Sequence, residues 1–275
     1  MTLSGRRLFL WFIPGALGLA TAAVLAAGFA AALQGRLGER VDPSANPAPA
    51  AAPLATATAD GAFRIVALGD SLTRGTGDEA GGGGYPERVA AALRKAGLTV
   101  SVDNLAVEGS ETADFLRRME DADVPRRIAA ANLLLVSIGG NDLSHSLRSA
   151  APGETVPDPT AAALSRASVN LQQILSLLRK ANPSAPIRLL GLYNPFPETF
   201  DRHTAKETLL KWNVALEEAS YSASGTSVVP TADLFDERPD RLSSDRFHPG
   251  PSGYGEIASR VLSTLNLPAA APRKS

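Results

Sequence analysis

The stretch "ANLLLVSIGGND" (residues 131–142) decides the fold. Leu133, Leu134, Leu135 and Val136 run without a polar break and lead into Gly139, Gly140, Asn141 and Asp142. A strand with one wet face alternates. A strand that does not alternate is buried on both faces, as in parallel sheets covered by helices on each side. Outward from this run, "FRIVALG" (residues 63–69) reads as a short apolar strand followed by a turn, "PIRLLGLY" (186–193) as another buried strand, and "LTVSVDNLA" (98–106) and "TSVVP" (226–230) supply two further strands. Helical patterns lie between and after them. "YPERVAAALRKAG" (85–97) has Pro86 in its first turn and Gly97 as its stop. "ETADFLRRME" (111–120), "TAAALSRASVNLQQILSLLRKAN" (160–182), "AKETLLKWNVALEEASYSA" (205–223) and "SGYGEIASRVLSTL" (252–265) follow. Strand and helix alternate five times, which predicts an α/β fold with a five-stranded parallel sheet and helices on both faces.

Ligands of such sheets bind beyond the carboxyl ends of the strands. Those ends carry Gly69-Asp70-Ser71, then Asn104 and Glu108-Gly109-Ser110, then Gly139-Gly140-Asn141-Asp142, then Tyr193-Asn194-Pro195. Before the last helix stands "SSDRFHPGPSGY" (243–254), with Asp245 and His248 three apart. Acyl transfer to serine needs a hydroxyl, a base within hydrogen-bond reach, a carboxylate that orients the base, and donors for the oxyanion. Ser71, His248 and Asp245 are candidates for the first three roles. The N–H groups of Ser71 and Gly109 and the side-chain amide of Asn141 are candidates for the fourth.

Each residue also has a plainer use. Ser71 fits a helix cap, Gly109 an unusual backbone angle, and Asn141 an Asx turn. Asp245 has Arg241 and Arg246 nearby as ion-pair partners, and His248 can be an ordinary loop histidine. A metal site at Asp245 and His248 lacks further ligands at a recognisable spacing. His145 and His203 fall in expected loops, His145 close enough to Asn141 to be a candidate for the substrate pocket. Asp70 is read as fixing the turn, with no chemistry assigned. Residues 81–84, four glycines, read as a mobile flap beside the pocket, and residues 143–160 as a polar insertion that shapes it.

Four segments in order resemble the blocks of the GDSL, or SGNH, hydrolases: "GDSLT" (69–73), "NLAVEGSET" (104–112), "SIGGND" (137–142) and "DRFHP" (245–249). The stretch "ALGDSLTRGTGDEAGGGGY" (67–85) looks most like the bacterial lipase/acylhydrolase branch, which includes Bacillus-type spore-germination lipases. The resemblance spans the globular part of the chain. It implies a three-layer α/β/α sandwich with a flavodoxin-like sheet. It also implies an esterase using Ser71, Asp245 and His248, with an oxyanion hole from Ser71, Gly109 and Asn141 and with no metal or organic cofactor. The G-x-S-x-G elbow of α/β-hydrolases is absent.

The chain has 275 residues with 27 basic and 28 acidic side chains, a net charge of −1, so nothing global draws it to nucleic acid. It has no cysteine, which excludes disulfides, thiolate metal sites and a cysteine nucleophile. Residues 8–33 are uncharged and exceed the ~20 residues that cross a bilayer as a helix. Arg6 and Arg7 precede them and keep the N-terminus cytoplasmic. The alternative is a cleaved signal peptide, with Ala30-Ala31-Ala32 as the small-residue site. The expected organisation is a stub and transmembrane signal-anchor (1–35), a Pro/Ala-rich tether (36–60), a hydrolase domain (61–268) and a flexible tail (269–275). The catalytic domain is expected on the extracytoplasmic side of the cell membrane, or secreted if the signal is cleaved. It is expected to be monomeric and to act on a small acyl ester or lipid. A glycan O-acyltransferase or deacetylase, and a non-catalytic tethered binding module, are the alternatives.

Overall fold

The structure, a computed structural model, describes residues 61–149, 159–194 and 202–265. The expected membrane helix, tether and tail lie outside the described residues, as does most of the stretch from 150 to 160. Among the described residues no helix is long and apolar enough to cross a membrane.

Five strands form one parallel sheet: β1 (Ala62–Gly69), β2 (Thr99–Asn104), β3 (Leu133–Ser137), β4 (Ile187–Leu190) and β5 (Thr226–Val229). Their order is β2-β1-β3-β4-β5. Every residue of β3 and β4 is buried, as strands covered on both faces require; β4 includes Arg188, whose buried guanidinium donates to the hydroxyl and carbonyl of Thr264. The edge strand β2 is partly exposed, which matches its alternating sequence. The chain leaves β1 for the edge at β2 and returns to β3 on the other side. That reversal opens a crevice at the carboxyl ends of β1 and β3.

Among the described residues, the helices are α1 (Ser71–Arg74), α2 (Gly84–Lys95), α3 (Thr112–Arg118), α4 (Asp123–Ala129), α5 (Gly140–Ser149), α6 (Pro159–Ala181), α7 (Arg202–Ser222), α8 (Ala232–Phe235) and α9 (Pro251–Ser263). Helices α2 and α9 pack together, while α3, α4, α5 and α7 pack against α6. The result is the expected three-layer sandwich. The short helices α1, α4 and α8 and the helix α5 are additional to the sequence expectation. The polar insertion therefore begins as a helix, and its Leu143 is buried.

Two glycines let the strand ends approach. Gly69 has φ +123, and a Cβ there would sit 1.7 Å from the Ser137 carbonyl oxygen. Gly139 has φ +99, and its Cβ would sit 2.1 Å from the ring of Trp212, a fully buried side chain.

Residues 81–84 lead into α2 and are not part of the cleft wall. Gly84 begins α2 and donates its N–H to the Asp78 carboxylate at 2.9 Å, and Arg88 forks onto the same carboxylate. A Cβ on Gly84 would lie 2.6 Å from the Gly75 Cα, so the two backbones touch. Gly83 and Gly84 serve close backbone packing against Gly75, Gly82 lies against the Arg88 side chain, and Gly81 has open space where a Cβ would be.

Candidate active site

Strand β1 ends at Gly69, and the chain turns at once into α1. Asp70 is the cap of that helix: its carboxylate accepts the Leu72 N–H at 3.1 Å. Ser71 is thus the first residue of α1, and the cap expected of it falls to its neighbour. Asp70 is buried and also accepts the Ser137 hydroxyl. Behind it lie the Thr73 hydroxyl, 2.7 Å from both Ser137 Oγ and the Tyr85 hydroxyl. A carboxylate can only accept, so these bonds run in one direction, from Tyr85 through Thr73 and Ser137 to Asp70. Burial, the largest influence, pushes the Asp70 carboxyl up and outweighs the bonds from Ser137 and Leu72.

The loop before α9 delivers the second half of the site. His248 Nε2 lies 2.9 Å from Ser71 Oγ, and His248 Nδ1 lies 2.7 Å from Asp245 Oδ2. Burial works against the Asp245 charge, but bonds from Ser243, His248 and Phe247 prevail and hold its carboxyl well below the usual range. Its Oδ1 accepts the Ser243 hydroxyl at 2.6 Å and the N–H groups of Phe247 and His248 at 2.8 and 2.9 Å. An ionised Asp245 leaves the proton on Nδ1, so the Nε2 lone pair faces the Ser71 hydroxyl. That is the arrangement in which an imidazole can take the serine proton. Arg241 bonds the Leu234 carbonyl and Glu256 rather than Asp245.

Asn141 stands in the first turn of α5 and lines the same cleft as Ser71. Its amide donates to the Ser110 carbonyl at 2.9 Å, which ties it to the turn that carries Gly109. Gly109 has φ +74, with open space where a Cβ would be. The next residue, Asp142, accepts the Thr112 N–H at 3.0 Å and the Thr112 hydroxyl at 2.6 Å, a second tie between these loops. Gly109, like His248, is not among the residues of the cleft wall, and the Asn141–Ser110 bond ties its turn to the site.

The cleft runs from Asp70, Ser71 and Leu72 past Asn141 and Leu143 to Leu192, Tyr193, Leu209 and Phe247. Its wall is mostly apolar. Tyr193 donates its hydroxyl to the Phe247 carbonyl at 2.6 Å, and Phe247 meets the His248 ring edge-on. His145 is not part of this wall; it lies 2.8 Å from the Glu111 carboxylate on the surface. His203 opens α7, and its side chain lies outside the described residues. Sequence reasoning missed Ser243, Ser137 and Leu209 as site residues. Ser243 sits two residues before Asp245, and that proximity was its one available signal.

A model of the GDSL-like Lipase/Acylhydrolase family matches residues 67–255 of the chain. The chain belongs to that family. This GDSL hydrolase is 35% identical over 207 residues to YpmR of Bacillus subtilis, an uncharacterized protein, covering 73% of the chain and 80% of YpmR. It is 28% identical over 205 residues to the spore germination lipase LipC of Bacillus licheniformis, covering 72% of the chain and 94% of LipC. Among solved structures, the lipase Lip_vut3 from a goat rumen metagenome superposes with a TM-score of 0.66 at 27% identity, over 74% of this chain and 97% of that one. The acetylxylan esterase Axe2 of Geobacillus stearothermophilus shares the fold, with a TM-score of 0.55 at 20% identity over 79% and 99% of the two chains. As a GDSL hydrolase the protein is a serine enzyme that hydrolyses esters.

Proposed function

We propose that this GDSL hydrolase cleaves acyl esters through an acyl-enzyme on Ser71. The Ser71 oxygen attacks the ester carbonyl while His248 Nε2 takes its proton. The N–H groups of Ser71 and Gly109 and the Asn141 amide receive the oxyanion. His248 then returns the proton to the leaving alcohol, and the acyl group stays on Ser71. A water, deprotonated by the same imidazole, attacks the acyl-enzyme and releases the acid and the free serine. Asp245 keeps the tautomer and steadies the imidazolium. The observation that carries this proposal is the unbroken contact from Ser71 Oγ through His248 to Asp245, at 2.9 and 2.7 Å.

The apolar wall of Leu143, Leu192, Leu209 and Phe247 suits an acyl chain better than a sugar. LipC and Lip_vut3 are both named as lipases, which supports a lipid-type ester as substrate. Residues 8–33 would hold the enzyme in the cell membrane as a single-pass anchor, with the tether of residues 36–60 and the domain of residues 61–268 outside the cytoplasm. Tethering raises the local concentration of membrane esters around the cleft.

The test uses the full-length chain. A fluorophosphonate should label Ser71 and nothing else, and Ser71→Ala should lose both labelling and p-nitrophenyl ester hydrolysis while keeping its circular dichroism. Turnover should rise from acetyl to longer acyl esters, and the protein should resist carbonate extraction from membranes. An unlabelled chain, or a Ser71→Ala variant that still hydrolyses the ester, overturns the proposal.

A further inference from the structure

We propose that residues 75–83, between α1 and α2, form a strap that holds the His248 loop against the nucleophile's helix, with Glu79 as the positioning residue. The inference rests on the assignment of Ser71 and His248 above.

The strap starts on the nucleophile. The N–H groups of Gly75 and Thr76 both donate to the Ser71 carbonyl, at 3.0 and 3.1 Å. It then crosses to the loop of the base. Gly77, at φ +88, lies so close that a Cβ there would be 2.8 Å from the Cβ of His248 and 2.8 Å from the Pro249 carbonyl oxygen. Tyr254 of α9 donates its hydroxyl to the Thr76 carbonyl at 2.7 Å. The far end is closed by Asp78, which receives the Gly84 N–H and Arg88. The middle carries Glu79, whose carboxylate accepts the Ser244 N–H at 2.9 Å across 165 residues of chain.

The loop of the base is wound tightly on itself. Ser243 donates its N–H to the His248 carbonyl at 2.8 Å, and Arg246 donates to the Ser243 carbonyl at 3.0 Å. Phe247 and His248 donate to Asp245. The Ser244 N–H instead points out of the loop, to Glu79. Arg246, between the acid and the base, has φ 56, a left-handed conformation that residues bearing a Cβ seldom adopt. Such strain persists only where the surroundings fix it from several sides. Asp245 fixes it from within, and Glu79 fixes it from without. Without Glu79, Arg246 has room to relax, and His248 moves with it.

The experiment compares full-length Glu79→Ala, Glu79→Gln, Gly77→Ala and the double variant Glu79→Ala/Arg246→Asn. Glu79 is exposed, so its substitution leaves the fold intact. Misplacing a reacting group by about 1 Å can cost ~100-fold. Glu79→Ala should therefore lower kcat by about tenfold on p-nitrophenyl butyrate with KM unchanged, because the cleft wall lies elsewhere. Glu79→Gln keeps an oxygen acceptor and should stay within about twofold of wild type. Gly77→Ala, which presses on His248, should lose at least as much kcat as Glu79→Ala. Asparagine tolerates the left-handed region, so Arg246→Asn should restore part of the loss. The ring proton resonances of His248 give a readout independent of turnover: they should shift in Glu79→Ala and not in Glu79→Gln. Unshifted resonances in Glu79→Ala, wild-type kcat in that variant, or equal damage in Glu79→Gln overturn the strap. A wild-type chain inert to the fluorophosphonate overturns the esterase assignment instead, and the His248 resonances still decide the strap.

Discussion

The Nε2 of His248 lies 2.9 Å from the Oγ of Ser71, although 177 residues of chain separate the two. Nothing local holds them there. Ser71 is placed by β1, by the Asp70 cap and by Ser137 beneath it. His248 is placed by Asp245, by the tight loop around it and by packing on Gly77. The two supports meet at the crevice where the strand order reverses, so small changes in either should be read in kcat.

In the proposed mechanism Asn141 offers one side-chain donor to the oxyanion, and its removal should lower kcat by about 10²–10³. The variant Asn141→Ala also frees the Ser110 carbonyl, but Asp142 still grips Thr112 and keeps the loop in place. Steady-state kinetics on a p-nitrophenyl ester checks this. An unchanged kcat removes Asn141 from the oxyanion hole.

Asp245→Asn should lower kcat by about 10⁴ while the circular dichroism of the folded chain changes little. An amide in place of the carboxylate offers an N–H toward Nδ1, which favours the tautomer with its proton on Nε2. That proton faces the Ser71 hydroxyl and leaves no base. A loss of less than about tenfold would mean that His248 needs no carboxylate to hold its tautomer.

Asp70 makes a prediction about pH. Burial raises its carboxyl in the folded chain above the unfolded value. A group of that kind stabilises the fold fully below the unfolded pKa, about 3.9, and the contribution is lost as pH rises through the folded pKa. Asn caps helices as well as Asp does and carries no charge to bury. Asp70→Asn should thus melt at a higher temperature than wild type at about pH 7, with the gap closing as the pH falls toward 4. Thermal scans across that range check the sign. An Asn variant that melts lower at neutral pH would mean that the ionised bond to Ser137 outweighs the cost of burial.

Gly69→Ala should destabilise the domain by about 3 kcal/mol or more. The methyl would have to occupy space 1.7 Å from the Ser137 carbonyl oxygen, on backbone at φ +123. Both neighbours are backbone in paired strands, so neither can swing aside. Denaturant unfolding measures the loss, and a cost below about 1 kcal/mol would show that β1 and β3 can part there.

Much of the fold was legible because burial on both faces leaves a mark on each strand separately. The unbroken apolar run of β3, the mostly apolar β1 and β4, which carry one arginine each, and the helical periodicity between them need no knowledge of partners. The candidate site residues were legible for a related reason: they follow the strand ends, or stand three apart in one loop. The short helices α1, α4 and α8 were not, since a helix of one or two turns lacks the length to show a period. At Gly83 and Gly84 composition alone suggests freedom, while the structure uses them for close approach to Gly75.

The sequence by itself thus determined the five strands, their parallel class and the identities of Ser71, Gly109, Asn141, Asp245 and His248 as candidates. Only the tertiary structure decided that Ser137 backs Asp70 and that Glu79 reaches Ser244. Between the neighbours Asp70 and Ser71, both fit to cap α1, the structure chose Asp70. The physical reason is the range of each interaction. Periodicity and capping are written within a few residues, so they leave at most a local choice. A hydrogen bond across 67 or 165 residues depends on where the sheet carries both ends.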